Sequence, residues 1–168
     1  MTISMYSASV PVFKHMLGSL ADVLAKGAAH AEARKIDPSV LLTERLAPDM
    51  FALTRQVQIA SDTAKGAAAR LAGVEMPKYE DNEATFAELA ARIAKTVAFL
   101  DSIPASAIDG SEDRDVTITL RSGDLHFKGE RYLLHWALPN FFFHVTTAYN
   151  LLRHDGVEIG KRDFLGGF

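Results

Sequence analysis

The chain has 168 residues and a net charge of −3, a length that fits one domain spanning residues 1–168 with a core that needs no staples. Its lysines and arginines are scattered, so composition offers no basic face for nucleic acid or for an anionic membrane. It has no cysteine, which excludes disulfides, thiolate metal sites and a cysteine nucleophile.

The N-terminal stretch MTISMYSASVPVFKHML has no positively charged leader, and no apolar run approaches the length of a membrane span. A cytoplasmic protein with no membrane partner is the expectation. The first helix is predicted over Ser9 to Ala33, with Pro11 near its start. Phe13, Leu17, Leu20, Leu24, Ala28 and Ala31 recur at three- and four-residue spacing and form its core stripe. His15 and His30 fall off that stripe and are expected in solvent. A polar connection follows, punctuated by Asp37-Pro38 and Pro48, in which Val40, Leu41 and Leu42 are expected to tuck against the core.

The second helix is predicted to start near Asp49, where a carboxylate suits a helix N-terminus. Met50, Leu53, Val57, Ala60, Ala64, Ala67 and Leu71 form its stripe, and Gly73 and Pro77 end it. A third helix begins between Asn82 and Thr85, with Thr85 and Glu88 at capping-box spacing. Phe86, Leu89, Ile93, Thr96 and Leu100 make its stripe, and Pro104 closes it. SAIDGSEDRD reads as a loop.

The period then changes to two. Val116 to Leu120 alternates, Ser122-Gly123-Asp124 has turn chemistry, and Leu125 to Phe127 resumes the alternation, so a β-hairpin is predicted. A lone hairpin is marginal in water and must lie on the helices or on a second subunit. Residues Tyr132 to Leu138 lead on as extended chain or a helical turn. In the last helix Pro139 fits the first turn, and Gly156 is a left-handed stop after Arg153 and His154. Phe141, His144, Ala148, Leu151 and Asp155 share one face, with Val145 and Leu152 beside it. His144 therefore lies on the core stripe. It is either a buried histidine satisfied by one hydrogen bond, or a metal ligand or acid–base group. The pattern as a whole is an all-α chain, a four-helix bundle with a long crossover and a small β-hairpin before the last helix.

Certain residues carry a family resemblance. They are Tyr6-Ser7 and Val10 to Phe13, Met50-Phe51 with Arg55-Gln56-Val57, and above all Pro139 to His144, Ala148-Tyr149-Asn150 and Leu152-Arg153. Gly156-Val157, Ile159-Gly160-Lys161 and Asp163-Phe164-Leu165 complete the set. With these the chain resembles the DinB/YfiT-like superfamily of four-helix bundles, in a branch whose domain has no known function. The resemblance spans essentially the whole chain. It implies a divalent-metal site of three histidines, one from the second helix and two at i, i+4 on the last, and in some members thiol-dependent transferase or isomerase activity. Only His144 can fill one of those places. Asn140 and Ala148 stand four residues to either side of it, and the second helix has no histidine. The expectation is therefore a degenerate metal site, with no metal and no cofactor.

Helical geometry suggests instead that Arg55 or Gln56 faces His144 and Asn150, and His135 could join from the hairpin side. A guanidinium, an amide and an imidazole suit a small polar or anionic ligand. The same residues could equally be a buried hydrogen-bond network that fixes helix register. A divalent-metal or thiol-dependent transferase using an atypical site around His144 is the alternative. Gly160-Lys161 lacks the earlier glycines and the preceding strand of a phosphate loop. Trp136, Tyr132 and Tyr149 are expected in the core or at an interface. The apolar tail DFLGGF is expected to cover the mouth of the bundle or to dock on a neighbour, and with the hairpin it points to a homodimer.

Overall fold

The computed structural model describes residues 3–167, and four long helices organise it: α1 (Val10–Arg34), α3 (Leu53–Ala72), α4 (Phe86–Asp101) and α7 (Leu138–His154). Helix α3 packs on α7 and α4, and α1 packs on the same two. The stripes read from the sequence are the faces that meet. Phe13, Leu17, Leu53, Val57, Leu71, Leu89, Leu100, Phe141 and Leu151 are all completely buried. Phe13 meets Phe141 edge to face at 4.9 Å and 83°, a favoured aromatic geometry. Alanines 60, 64, 67 and 68 on α3 are also fully buried. Their small side chains let its neighbours approach closely.

Several local rules are followed closely. Thr85 accepts from the Glu88 N–H at 3.2 Å while the Glu88 carboxylate accepts from the Thr85 N–H at 2.9 Å, so the capping box at the start of α4 is complete. Gly73 ends α3 at φ 71°, and Gly156, at φ 87°, follows α7, both in the left-handed region.

Other expectations needed correction. Helix α3 starts at Leu53, four residues after Asp49, and Met50 is only partly buried in the turn before it. The connection holds a short helix, α2 (Pro38–Thr43), whose N-terminus is capped by the Asp37 carboxylate accepting from the Ser39 N–H at 2.9 Å. Leu41 and Leu42 are buried there, but Val40 is 54% exposed, because one turn of helix can present only two of three consecutive residues to the core. Residues in the expected loop form a helical turn, α5 (Ala105–Ile108), that buries Ile108 completely.

The hairpin pairs β1 (Asp115–Leu120) with β2 (Gly123–Lys128) in antiparallel register, from Asp115 opposite Lys128 to Leu120 opposite Gly123. Its turn is Arg121-Ser122, one residue earlier than read, so Gly123 and Asp124 belong to the strand. Val116 and Ile118 are buried, and Phe127 packs its ring 6.1 Å from Tyr132 and 5.7 Å from Trp136. The hairpin therefore lies on its own chain.

The segment before α7 is helical throughout: α6 (Gly129–Tyr132) runs into a wide π turn (Leu133–Ala137) and on into α7. Pro139 has no N–H to give the carbonyl four residues back, and its ring crowds that carbonyl. A wider turn immediately upstream relieves both problems. The tail forms α8 (Lys161–Leu165) against α1, where Asp163 pairs with Lys26 at 2.5 Å and Phe164 meets Tyr149 at 5.8 Å. His15 is held there as well, its Nε2 lying 2.6 Å from the Leu165 carbonyl. Phe168, the last residue of the expected tail, lies outside the described residues. Hairpin and tail both find partners within one chain, so neither requires a second copy. Among the described residues no helix is long and apolar enough to cross a membrane.

Candidate functional site

Two contacts set the direction of α3 against α7 and the α6 turn that leads into it. Gln56 meets His144 at one end and Arg70 meets Tyr132 at the other, so the helices run antiparallel. His144 is 8% exposed and Gln56 is 1% exposed. The Gln56 amide nitrogen donates to the Phe51 carbonyl at 2.9 Å, which leaves its carbonyl oxygen turned toward the imidazole, 2.6 Å from Nδ1. An amide oxygen can only accept, so the proton sits on Nδ1 and Nε2 carries the free lone pair. Nε2 makes no hydrogen bond with the described residues.

Burial, and then the nearby positive charge of Arg55, push the His144 pKa down from 6.5 to about 4. At neutral pH the ring is therefore an uncharged hydrogen-bond acceptor. A base this weak contributes little to proton abstraction near pH 7. Two large exposed aromatics adjoin the pair. The Phe143 ring stands perpendicular to the imidazole at 5.2 Å, and Phe51, whose carbonyl anchors Gln56, is 53% exposed.

Of the residues the sequence singled out, only Gln56 and His144 are bonded to each other. Arg55 turns to the α3–α4 connection, where it pairs with Asp81 and donates to Gln58 at 3.1 Å. It reaches His144 through its field alone. Asn150 lies on the exposed side of α7 and His135 is exposed on the π turn, so neither comes to the pair. His126 is exposed on β2, with Nδ1 3.1 Å from the Thr117 hydroxyl.

The three-histidine site implied by the resemblance can be tested against these donors. Among the described residues no three His, Asp or Glu side chains are arranged to hold a metal ion. His144 has an amide for its neighbour and a guanidinium close by, and the positive charge of that guanidinium opposes a dication. The residues present do not fit the metal.

A charged cluster between α3 and α4 escaped the sequence reading. The Arg92 side chain is 1% exposed and binds Asp62 at 2.7 Å, Asp81 at 3.0 Å and Glu83 at 2.9 Å. Lys65 shares Asp62 at 2.8 Å, and the Gln58 amide donates to Glu83 at 2.8 Å. Lys65 and Lys95 place their ammonium groups 3.5 and 4.3 Å from the centre of the Tyr79 ring. Burial disfavours the charged forms of Asp81 and Glu83. Hydrogen bonds from Arg55 to Asp81, and from Arg92 and Gln58 to Glu83, outweigh it and hold both carboxyls below their ordinary range. The cluster straps the connection onto the two helices. One signal for it was legible: Arg92 stands three residues after Leu89 and four before Thr96, on the apolar stripe of α4.

A buried His–Gln hydrogen bond thus joins the second and last long helices of a mostly helical frame that carries one small hairpin. The chain belongs to the family described as "Domain of unknown function (DUF1993)", whose model matches residues 5–165. It is similar to the crystal structure of a DinB family member protein from Shewanella denitrificans at 1.83 Å resolution. The two are 42% identical with a TM-score of 0.89, over 97% of this chain and 92% of that one. No curated protein matches the chain.

Proposed function

We propose that this chain is a non-catalytic DinB-like four-helix bundle whose α3–α7 site binds a small polar ligand through His144, without a metal. The observation that carries the reading is the 2.6 Å contact between His144 Nδ1 and the Gln56 oxygen. That contact fixes the tautomer and leaves Nε2 as an unpaired acceptor beside Phe143. A ligand hydroxyl, amide or protonated acid would donate to Nε2 and lay its apolar part against the exposed rings. The depressed pKa supports binding over acid–base chemistry, because the ring stays neutral across the physiological range.

A metal-dependent or thiol-dependent transferase is the competing reading. An imidazole whose Nδ1–H is held by an oxygen is oriented as metal-ligating histidines are, but this site would have to recruit its remaining ligands from elsewhere. Long-range 1H–15N spectra of His144, recorded during a thermal-shift screen of small alcohols, amides and acids, separate the two readings. A ligand that moves the Nε2 resonance in the native chain and loses affinity in His144→Phe is the expected result. Zinc, nickel or manganese retained near one equivalent per chain after purification without a histidine tag overturns it.

A further inference from the structure

A groove of about 500 Å3 lies between α3, the α3–α4 connection, the hairpin and the π turn, within the usual range for small-ligand sites. Its walls are largely apolar. Leu120 at the end of β1 is 39% exposed, and Trp136 on the π turn is half-buried. Set into these walls are two cations without counter-charges. Arg70 donates to the neutral hydroxyl of Tyr132 at 3.3 Å. Among the described residues neither Arg70 nor Lys78 has an acidic partner. The one carboxylate on the groove, Asp62, is already shared by Lys65 and Arg92.

Arg70 occupies room left by Gly66, a residue that disfavours the helix interior. A Cβ at Gly66 would stand 2.5 Å from Arg70 Nη1 and 3.2 Å from the Met76 sulfur. With no side chain at Gly66, the guanidinium lies back along α3, beside Met76 in the groove wall. A half-buried guanidinium with no carboxylate, steadied by a phenol and set among apolar side chains, lacks a planar anion with an apolar body.

We propose that this groove is a binding site for a small amphipathic carboxylate, with Arg70 engaging the carboxylate and Trp136 and Leu120 receiving the apolar portion. The site is separate from the His144–Gln56 pair, and none of its residues hydrogen-bonds to either. An amphipathic carboxylate uses both features of the groove at once. Inorganic phosphate would leave its apolar walls unused, and a neutral hydrocarbon would leave the guanidinium unpaired.

Trp136 is the only tryptophan in the chain, so its fluorescence reports on this groove alone. The full chain is titrated with octanoate and, separately, with octanamide, the neutral analogue of the same length. Octanoate is expected to change the emission saturably, and octanamide to bind roughly 10-fold more weakly or worse. Arg70→Gln, which removes the charge and keeps a polar side chain, is expected to weaken octanoate by a similar factor. Lys78→Gln, on the exposed connection, is expected to weaken it about 2- to 3-fold and serves where Arg70→Gln does not fold. The absence of saturation up to about 10 mM octanoate overturns the proposal, since binding weaker than that is not specific. Equal affinity for octanamide, or octanoate binding untouched by either variant, does so as well.

Discussion

His144 Nδ1 and Gln56 Oε1 stand 2.6 Å apart, and this one hydrogen bond joins the two helices with the most extensive mutual packing. Both partners are buried and the Gln56 amide is spent on Phe51, so the bond has no substitute on either side. Gln56→Leu should strand the buried Nδ1–H and cost about 1–3 kcal/mol. Gln56→Leu combined with His144→Leu should recover much of that loss, because the buried ring N–H is then gone and only the carbonyl of the exposed Phe51 loses its donor. Urea unfolding of the two singles and the double closes the cycle. Additive losses would mean that the bond contributes nothing by itself.

The same histidine sets a pH dependence. Its folded pKa is about 4 against 6.5 for an unperturbed ring, owing to burial and then to Arg55. Between those values the unfolded chain binds more protons than the folded one, so stability rises with pH across the window and levels off above it. Acidifying through the window should remove up to about 3 kcal/mol. Asp81 and Glu83, with pKa values held below their ordinary range, also lose stability as acid rises, but they do so in every variant. Urea stability of the native chain and of His144→Asn at neutral pH and near pH 4.5 therefore isolates the ring. The native chain should lose more, and parallel losses would exclude His144 as the titrating group.

Arg92 holds three carboxylates at once. Arg92→Met would leave Glu83, whose side chain is 10% exposed, without its cation. It should destabilise the chain by about 3 kcal/mol, the lower end for a broken buried pair. The lower end applies because Asp62 and Asp81 keep 36% and 40% of their side-chain exposure and water can re-solvate them. Limited proteolysis should cut residues 74–85 faster in this variant. Unchanged cleavage would show that the strap is held by other contacts.

Gly129 is set by close backbone approach. A Cβ there would meet the Ser111 carbonyl oxygen at 2.0 Å, where Glu130 N–H also bonds the Glu112 carbonyl at 3.0 Å. Because the obstacle is backbone, Gly129→Ala should cost at least about 1–3 kcal/mol despite alanine's better helix propensity. Thermal melting measures it, and a stabilised variant would contradict the packing described for the hairpin base.

The sequence alone determined what depends on neighbours within a turn or two. Three- and four-residue apolar spacing placed the four long helices, Thr85 and Glu88 announced the start of α4, and Gly156 announced the end of α7. The alternation from Val116 placed the hairpin, and the stripe of α7 put His144 in the interior. Residue patterns also sufficed to point to the DinB-like family.

Only the tertiary structure decided which polar groups meet, because those partners are far apart in the chain and a helical period gives a face without a partner. It paired Gln56 with His144, turned Arg55 away to Asp81, and left Asn150 and His135 in solvent. It assembled the Arg92 cluster from α3, α4 and the segment between them. It also turned the approach to α7 into a π turn, because a proline joined to a preceding helix obeys different sterics from a proline at a free helix start. Local periodicity carries information about burial. Charge pairing and tautomers depend on distances that only the packed chain establishes.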